Sequence, residues 1–395
     1  MAPPRPARLA SIDAYRGLVM LLMMAEVLQF GAVAMANKGQ RLWAFLAYHQ
    51  THVEWIGCSL HDLIQPSFSF LVGVALPFSL ASRRERGQSI LGMTVHAFWR
   101  AAVLILLGIF LRSVGGPQTN FTFEDTLTQI GLGYGLLFLL GLRPARDQWI
   151  ALGLILVGYW TAFALWPLPA ADFDYAKVGV AADWLARHGL SGFAGHWNKN
   201  SNLAWAADVR LLNLFPRRTP FVCNGGGYAT LSFIPTLGTM ILGLLAGDVL
   251  RSRRTATRKL LWLAIAGLLS LGAGWLLGEL GVCPVVKRIW TPSWTLFSGG
   301  WCFLLLAAFY LVMDVAQWRV WAFPLTVIGV NSIAAYCAAH LFAGFLRDAL
   351  CRHLGMRFFI AFGPAYQPLL LGGCVLSLLW LMLFWMYRRS LFLRV

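Results

Sequence analysis

The chain has 395 residues, of which 58% are hydrophobic and 12% are charged, and its formal net charge is +16. A soluble domain has about 25% charged residues, so this composition excludes an ordinary soluble protein. The basic residues occur in short segments between long apolar runs. They form no continuous basic face, which argues against nucleic acid as a partner.

The apolar runs predict an all-α polytopic membrane protein with about ten transmembrane helices. The predicted spans cover 17–36, 60–81, 96–113, 124–142, 148–166, 229–250, 260–279, 294–314, 324–343 and 366–387. An even number of spans places both termini on the same side of the membrane. The basic residues at 83–86, 143–146, 251–259 and 388–389 place that side in the cytoplasm, because positive charge favours cytoplasmic connections.

We predict a single integral membrane domain over residues 1–395. Its cytoplasmic N-terminal segment is 1–16, and its longest extracytoplasmic loop is 167–228. This loop separates five spans from five, so the two halves would have inverted orientations in the membrane. The cysteines include no CxxC pair, so no metal site is expected, and a disulfide between Cys223 and Cys283 is left open.

Titratable residues concentrate at the mouth of the second span, in "HVEWIGCSLHDL". Ionisable residues at membrane depth are costly and usually face an internal cavity. Asp62 has a second explanation as a helix cap, because free N–H groups stabilise a carboxylate at a helix start. His52 has no such explanation, and a histidine beside a carboxylate at a cavity mouth is a candidate general base.

Further polar residues lie in three other predicted spans. Glu26 lies inside the apolar stretch "GLVMLLMMAEVLQF" and is explained either by an outward-facing site or by a structural hydrogen bond. Asn331 and His340 belong to the ninth span, and Gln129 lies near the outer end of the fourth. Because these residues come from separate helices and share the outer half of the membrane, we predict one common cavity.

Six sequence blocks resemble, in the same order, a known family of membrane proteins. The blocks are "SIDAYRGLVMLLMM", "HVEWIGCSLHDLIQPSFSFLVGVAL", "TLTQIGLGY", "GYATLSFIPTLGTMILGLLAG", "KRIWTPSWTLFSGG" and "VIGVNSIAAYCAAH". Together they are similar to the heparan-alpha-glucosaminide N-acetyltransferase-like family. The resemblance implies transfer of an acetyl group from cytoplasmic acetyl-CoA to an amino sugar across the membrane, and it places the family's active-site histidine at His52.

The resemblance also implies roles for individual residues. His52 acts either as a general base for the sugar amine or as a nucleophile that forms an acyl-imidazole. The other catalytic candidates are Asp62 and Glu26. The candidates for substrate binding are Glu54, Trp55, Gln129, Lys287, Asn331 and His340. The candidates for binding the CoA phosphates are Arg16, Arg83, Arg84, Arg143, Arg251 and Arg254.

Acetyl-CoA is therefore the expected acyl-donor co-substrate, with no metal. The expected partners are a sugar or glycan acceptor and membrane lipid, with a homodimer as an option, and the expected location is a bacterial inner membrane. The family commonly ends its opening helix with Val-Asn where this chain has Glu26 and Val27, which leaves the acceptor sugar open. The alternative function is a transporter of a small sugar or anion, with no covalent chemistry.

Overall fold

The computed structural model describes residues 9–393, and the regular structure in that range is helical. The predicted all-α class is confirmed. Residues 1–8 of the predicted cytoplasmic segment 1–16 lie outside the described residues. The α-helices of the described range are α1 Ala10–Met24, α2 Phe30–Ala36, α3 Arg41–Gln50, α4 Ile64–Glu85, α5 Ile90–Ser113, α6 Thr126–Gly141, α7 Ala145–Ala164, α8 Ala182–His188, α9 Leu203–Leu211, α10 Phe233–Arg251, α11 Ala256–Glu279, α12 Pro292–Tyr310, α13 Phe323–Gly329, α14 Ser332–Leu354, α15 Met356–Phe359 and α16 Gln367–Arg388.

Within residues 9–393, seven helical segments are long and apolar enough to cross a membrane. They are His61–Glu85, Ile90–Ser113, Thr230–Arg251, Ala256–Glu279, Pro292–Val315, Ser332–Leu354 and Pro364–Arg388. The number is eight if the bent pair Ala10–Leu28 and Phe30–Ala36 forms one span. The protein is therefore a multi-pass integral membrane protein.

The predicted number of ten spans is not confirmed. The fourth predicted span contains a helix of only 16 residues, Thr126–Gly141. Such a helix is about 24 Å long, which is shorter than the ~30 Å hydrocarbon core of a bilayer. The ninth predicted span is interrupted at Asn331, between α13 and α14. The cytoplasmic location of both termini stays a prediction.

The contacts within the chain group into two compact units. Residues 9–53, 58–64 and 308–393 belong to the first unit, and residues 54–57 and 65–307 belong to the second unit. The predicted five-plus-five arrangement would place the division in the loop 167–228, whereas this loop lies wholly inside the second unit.

In the first unit, glycines allow helix backbones to approach closely. A Cβ atom on Gly17 of α1 would collide with the carbonyl oxygen of Leu325 in α13. A Cβ atom on Gly372 of α16 would collide with the carbonyl oxygen of Val27. Small residues are typical of such interfaces in membranes, because lipid leaves close van der Waals packing as a main source of helix association.

The first span is broken immediately after α1. Residues Ala25–Leu28 form a 3-10 turn, Gln29 has φ 50° and ψ 50°, and α2 continues at an angle of 41°. Gln50, the last residue of α3, bridges this break: its Nε2 donates to the Ala25 carbonyl at 2.7 Å and its Oε1 accepts from the Phe30 N–H at 2.7 Å. These bonds satisfy backbone groups that a broken helix would otherwise leave unpaired at membrane depth.

In the second unit, α4 and α10 run parallel in close contact. Gly243 of α10 faces the backbone of Phe70 in α4, and Gly247, one turn later, faces the backbone of Val74. The residue numbers of the contacting pairs increase together along both helices, so the two helices run in the same direction. Their C-terminal ends, and the basic residues on them, therefore lie at the same end of the second unit.

Candidate active site

His52 and Asp62 form a hydrogen-bonded pair in the first unit. The loop after α3 carries His52, and Asp62 lies ten residues later, in the 3-10 turn His61–Leu63 before α4. The Nδ1 atom of His52 is 2.8 Å from Oδ1 of Asp62. The other carboxylate oxygen accepts hydrogen bonds from the Val53 N–H at 3.2 Å, the Ser59 N–H at 3.0 Å and the Ser59 hydroxyl at 3.0 Å. These donors precede Asp62 in the chain, so the carboxylate organises the loop that carries His52.

The Asp62 carboxylate determines which nitrogen of His52 is basic. A carboxylate is only an acceptor, so Nδ1 of His52 carries the proton that the pair shares, and Nε2 is the basic nitrogen of the neutral ring. The Asp62 side chain is 1% exposed, whereas the His52 side chain is 37% exposed. A buried carboxylate thus orients an accessible imidazole, which is the arrangement of a general base or a nucleophile with its orienting group.

A second histidine–carboxylate pair lies against the first one. Nε2 of His61 is 3.2 Å from Oε1 of Glu26, and the ring centroids of His61 and His52 are 4.5 Å apart. His61 is 9% exposed, whereas Glu26 is 56% exposed. The broken first span presents Glu26 here, because the residue belongs to the 3-10 turn between α1 and α2. The sequence led to no predicted role for His61. The only sign in the sequence that it belongs to this site is its position next to Asp62.

His340 is the third histidine of this region. It lies within electrostatic range of Glu26, as do His52 and His61. Its Nδ1 is 2.9 Å from the Tyr336 carbonyl, one turn earlier in α14, and its ring stacks on the Tyr336 ring with centroids 4.4 Å apart. The first unit therefore brings His52, Asp62 and Glu26 together around His61, whereas the hydrogen bond and the ring contact of His340 are with Tyr336 of its own helix.

Asn331 lies elsewhere in the first unit. Its Nδ2 donates to the Leu391 carbonyl at 2.8 Å, and its Oδ1 accepts from the Leu393 N–H at 3.1 Å. It is nine residues before His340, which corresponds to about 13 Å along a helix axis. Its amide therefore anchors the segment after α16, and its predicted role in substrate binding stays a prediction.

Glu54 and Trp55 lie in the second unit. Glu54 accepts a hydrogen bond from Trp184 Nε1 at 3.1 Å, and Lys199 Nζ lies 4.8 Å from the centre of the Trp184 ring. Burial lowers the pKa of Lys199. Trp55 is buried in an aromatic core and donates from Nε1 to the Trp197 carbonyl at 3.1 Å. Trp55 thus has a packing role here, and Glu54 belongs to a polar cluster with Trp184 and Lys199.

Gln129 and Lys287 are buried in the second unit. Gln129 donates from Nε2 to the Phe123 carbonyl at 2.6 Å and to the Thr230 carbonyl at 3.1 Å. The amide therefore joins the start of α6 to the start of the span that contains α10. The roles of Gln129 and Lys287 in substrate binding stay predictions.

Five of the predicted CoA-binding arginines lie at or just beyond the C-terminal ends of α4, α6 and α10. They are Arg83, Arg84, Arg143, Arg251 and Arg254. The sixth, Arg16, lies in α1 of the first unit, where its Nη1 is 3.6 Å from Oδ1 of Asp13. Within residues 9–393 no group of three or more His, Cys, Asp or Glu side chains could hold a metal ion, and Cys223 and Cys283 are free thiols.

No protein-family model matches the chain. Two curated relatives are similar to it: the heparan-alpha-glucosaminide N-acetyltransferase of Homo sapiens, 24% identical over 433 residues, and that of Mus musculus, 24% identical over 428 residues. The matches cover 99% and 98% of this chain, and the chain spans about 60% of the length of either relative. The family resemblance predicted from the sequence blocks is therefore confirmed: along nearly its whole length, this chain is similar to the heparan-alpha-glucosaminide N-acetyltransferases.

Proposed function

We propose that the chain is a transmembrane acyltransferase. It moves an acetyl or other short acyl group from cytoplasmic acyl-CoA to an extracytoplasmic sugar, with an amino sugar as the preferred acceptor. The observation that carries this proposal is the His52–Asp62 pair, in which a buried carboxylate fixes the tautomer of an accessible imidazole. The similarity to N-acetyltransferases over 99% of the chain supports the reaction class.

The pair supports two routes for the transfer. In the first route, Nε2 of His52 takes a proton from the sugar amine while the nitrogen attacks the thioester carbonyl, and the resulting imidazolium then protonates the departing CoA thiolate. In the second route, Nε2 attacks the thioester, CoA leaves, and the amine attacks the acyl-imidazole. Asp62 stabilises the positively charged ring in both routes, because a charge-assisted hydrogen bond is stronger than a neutral one.

Acetyl-CoA would need cations for its phosphates. The arginines at the ends of α4, α6 and α10 supply them, and arginine binds phosphate oxygens with two parallel hydrogen bonds. Positive charge at these positions also fits cytoplasmic connections, where the CoA pool is available. In this proposal the protein lies in a bacterial inner membrane, with membrane lipid around it and a homodimer as an option.

The test is binding and turnover of radiolabelled acetyl-CoA by purified protein in detergent. The wild type should bind acetyl-CoA and hydrolyse it slowly, whereas His52→Ala should bind it without turnover. His96→Ala is the matched control, because His96 is an exposed histidine of α5. If the wild type does not bind acetyl-CoA at millimolar concentration, the acyltransferase proposal fails, and uptake of free sugars into vesicles then tests the transporter alternative.

Rapid quenching of the same reaction separates the two routes. A covalent acyl group that forms on the wild type and is absent from His52→Ala identifies His52 as the acyl acceptor. Turnover without any labelled protein identifies His52 as the general base.

A further inference from the structure

His61 has no role in either route described above. Its Nε2 is 3.2 Å from Oε1 of Glu26, and its ring packs against His52 with centroids 4.5 Å apart. His52 has its own carboxylate, because its Nδ1 is 2.8 Å from Oδ1 of Asp62. The first unit therefore holds two histidine–carboxylate pairs whose rings are in contact.

This arrangement can hold two protons at once. Two adjacent imidazoles normally resist double protonation, because the two positive charges repel each other. Here each ring has a carboxylate partner, so two imidazoliums and two carboxylates have no net charge. The two pairs also differ in access: Asp62 is 1% exposed, whereas Glu26 is 56% exposed, so Glu26 is the carboxylate of the two that lies at the surface of the protein.

Acylation of a protonated amine releases two protons from one nitrogen. The nitrogen forms a bond to the acyl carbon, and the bond between that carbon and the CoA sulfur breaks. One proton leaves the ammonium group before attack, and a second leaves the nitrogen after attack. The CoA thiolate takes one of them and the solvent takes the other. An amine beside electron-withdrawing groups, like the α-amino group of a peptide, has a pKa of about 8 and is mainly an ammonium ion at neutral pH. A hydroxyl group or water is already neutral and needs no deprotonation before it attacks.

We propose that His61 is a second general base of the reaction centre. It takes the first proton from the acceptor ammonium and passes it through Glu26 to solvent, while His52 carries out the acyl transfer and returns its proton to the CoA thiolate. Glu26 is a positioning residue that holds His61 by hydrogen bond and receives its proton. The inference rests on the proposed acyltransferase function and adds a residue that would deprotonate the amine acceptor before it attacks.

Other titratable or charged side chains lie near the segments that carry the His61–Glu26 pair. His340 of α14 lies within electrostatic range of Glu26. His49 of α3 accepts a hydrogen bond at 3.2 Å from the backbone of the residue before His61. Arg347 of α14 lines a cavity with the residues that follow Glu26. These side chains are present in the wild type and in both variants, so a comparison of the pH profiles reports the effect of the substituted residue.

The experiment compares two reactions of the same purified full-length protein in detergent, using acetyl-CoA with glucosamine or with water as acceptor. The variants are His61→Gln, which keeps a hydrogen-bonding group toward Glu26 but cannot take a proton, and Glu26→Gln at the more exposed partner. His96→Gln is the matched control at an exposed histidine. Both rates are measured from about pH 6 to about pH 9, a range that brackets an amine pKa of about 8.

We expect both variants to lower kcat/KM for glucosamine by about 10- to 100-fold at the acid end, since only about 1% of an amine with a pKa of about 8 is neutral at about pH 6. The defect should shrink toward the alkaline end, where the amine is already neutral, and the hydrolysis rate should stay near that of the wild type. Loss of both reactions at every pH indicates a structural role and overturns the proposal. Unchanged glucosamine acylation, or a wild type that hydrolyses acetyl-CoA but acylates no amine, also overturns it. A wild type with neither reaction refutes the acyltransferase function itself.

Discussion

Asp62→Asn tests whether the carboxylate sets the tautomer of His52. In the wild type one carboxylate oxygen faces Nδ1 of His52 at 2.8 Å, and the other faces the backbone N–H groups of Val53 and Ser59. The asparagine side chain keeps one oxygen and replaces the other by NH₂. The oxygen must stay at the two backbone donors, so the NH₂ group faces His52. Nδ1 then has to accept a hydrogen bond, and the proton moves to Nε2.

The cost to catalysis follows from two hydrogen-bond changes. First, the imidazolium loses a charge-assisted hydrogen bond worth about 1.5–3 kcal/mol. Second, Nε2 becomes basic again only if the proton returns to Nδ1, where it faces the NH₂ group of the asparagine without an acceptor, at a further cost of about 1–3 kcal/mol. Together these terms correspond to a loss of about 10²–10⁴-fold in turnover. Folding should be affected little, because the asparagine has the same shape and keeps the two backbone hydrogen bonds.

The assay is turnover of acetyl-CoA in detergent, together with acetyl-CoA binding and thermal unfolding of the same preparation. Binding and the unfolding midpoint should match those of the wild type while turnover falls. Asp183→Asn is the matched control: its exposed ion pair with Arg187 contributes little, so its turnover should be unchanged. If Asp62→Asn turns over within a few-fold of the wild type, the assignment of Nε2 as the basic nitrogen is wrong.

Two further predictions concern stability. Gly372→Ala places a Cβ against the Val27 carbonyl and should cost about 1–3 kcal/mol, whereas Gly373→Ala, which meets open space, should be neutral or stabilising in thermal unfolding. Equal midpoints for both variants would contradict the close packing of α16 on the broken turn. Burial raises the pKa of Asp208, which lies in α9, to about 6, so its contribution to stability is complete below about pH 4 and is lost as the pH rises through 6. Asp208→Asn should therefore unfold at a higher temperature than the wild type at neutral pH and show a flatter profile between about pH 4 and 6. A midpoint that follows the wild type throughout would show that Asp208 does not titrate as its burial indicates.

The sequence pattern predicted the helical class and the approximate location of the spans, because a membrane helix needs a long apolar run and that run is visible in one dimension. The break after Met24 was not predicted. The residues "AEVLQF" contain neither glycine nor proline, and the hydrogen bonds that permit the break come from Gln50, more than twenty residues away. The interruption at Asn331 was missed for a similar reason, because its amide binds the chain at Leu391 and Leu393.

Contacts between candidate site residues were predictable where the residues lie close together in the chain. His52 and Asp62 are ten residues apart, so a single loop can join them, and the structure has them in contact. Glu26 and His61 belong to different spans, and no local pattern connects residues 35 positions apart. The contacts of Gln129 and Trp55 were not predictable, because a sequence does not reveal whether a polar or aromatic side chain faces a substrate or another helix.

The contact between Glu26 and His61 gives a physical reason for the position at which this chain departs from the family pattern. The resemblance suggests Val-Asn where this chain has Glu26 and Val27, so this chain has a carboxylate in a segment for which the resemblance implies a neutral amide, and a carboxylate at membrane depth needs a partner. His61 is that partner, at 3.2 Å, and its ring also touches His52. Replacing Glu26 alone by asparagine should therefore leave His61 in place without its carboxylate partner. The change of both residues removes the second pair without leaving either partner behind, which makes Glu26→Asn combined with His61→Ala the variant that separates the chemistry of the His52–Asp62 pair from that of the His61–Glu26 pair.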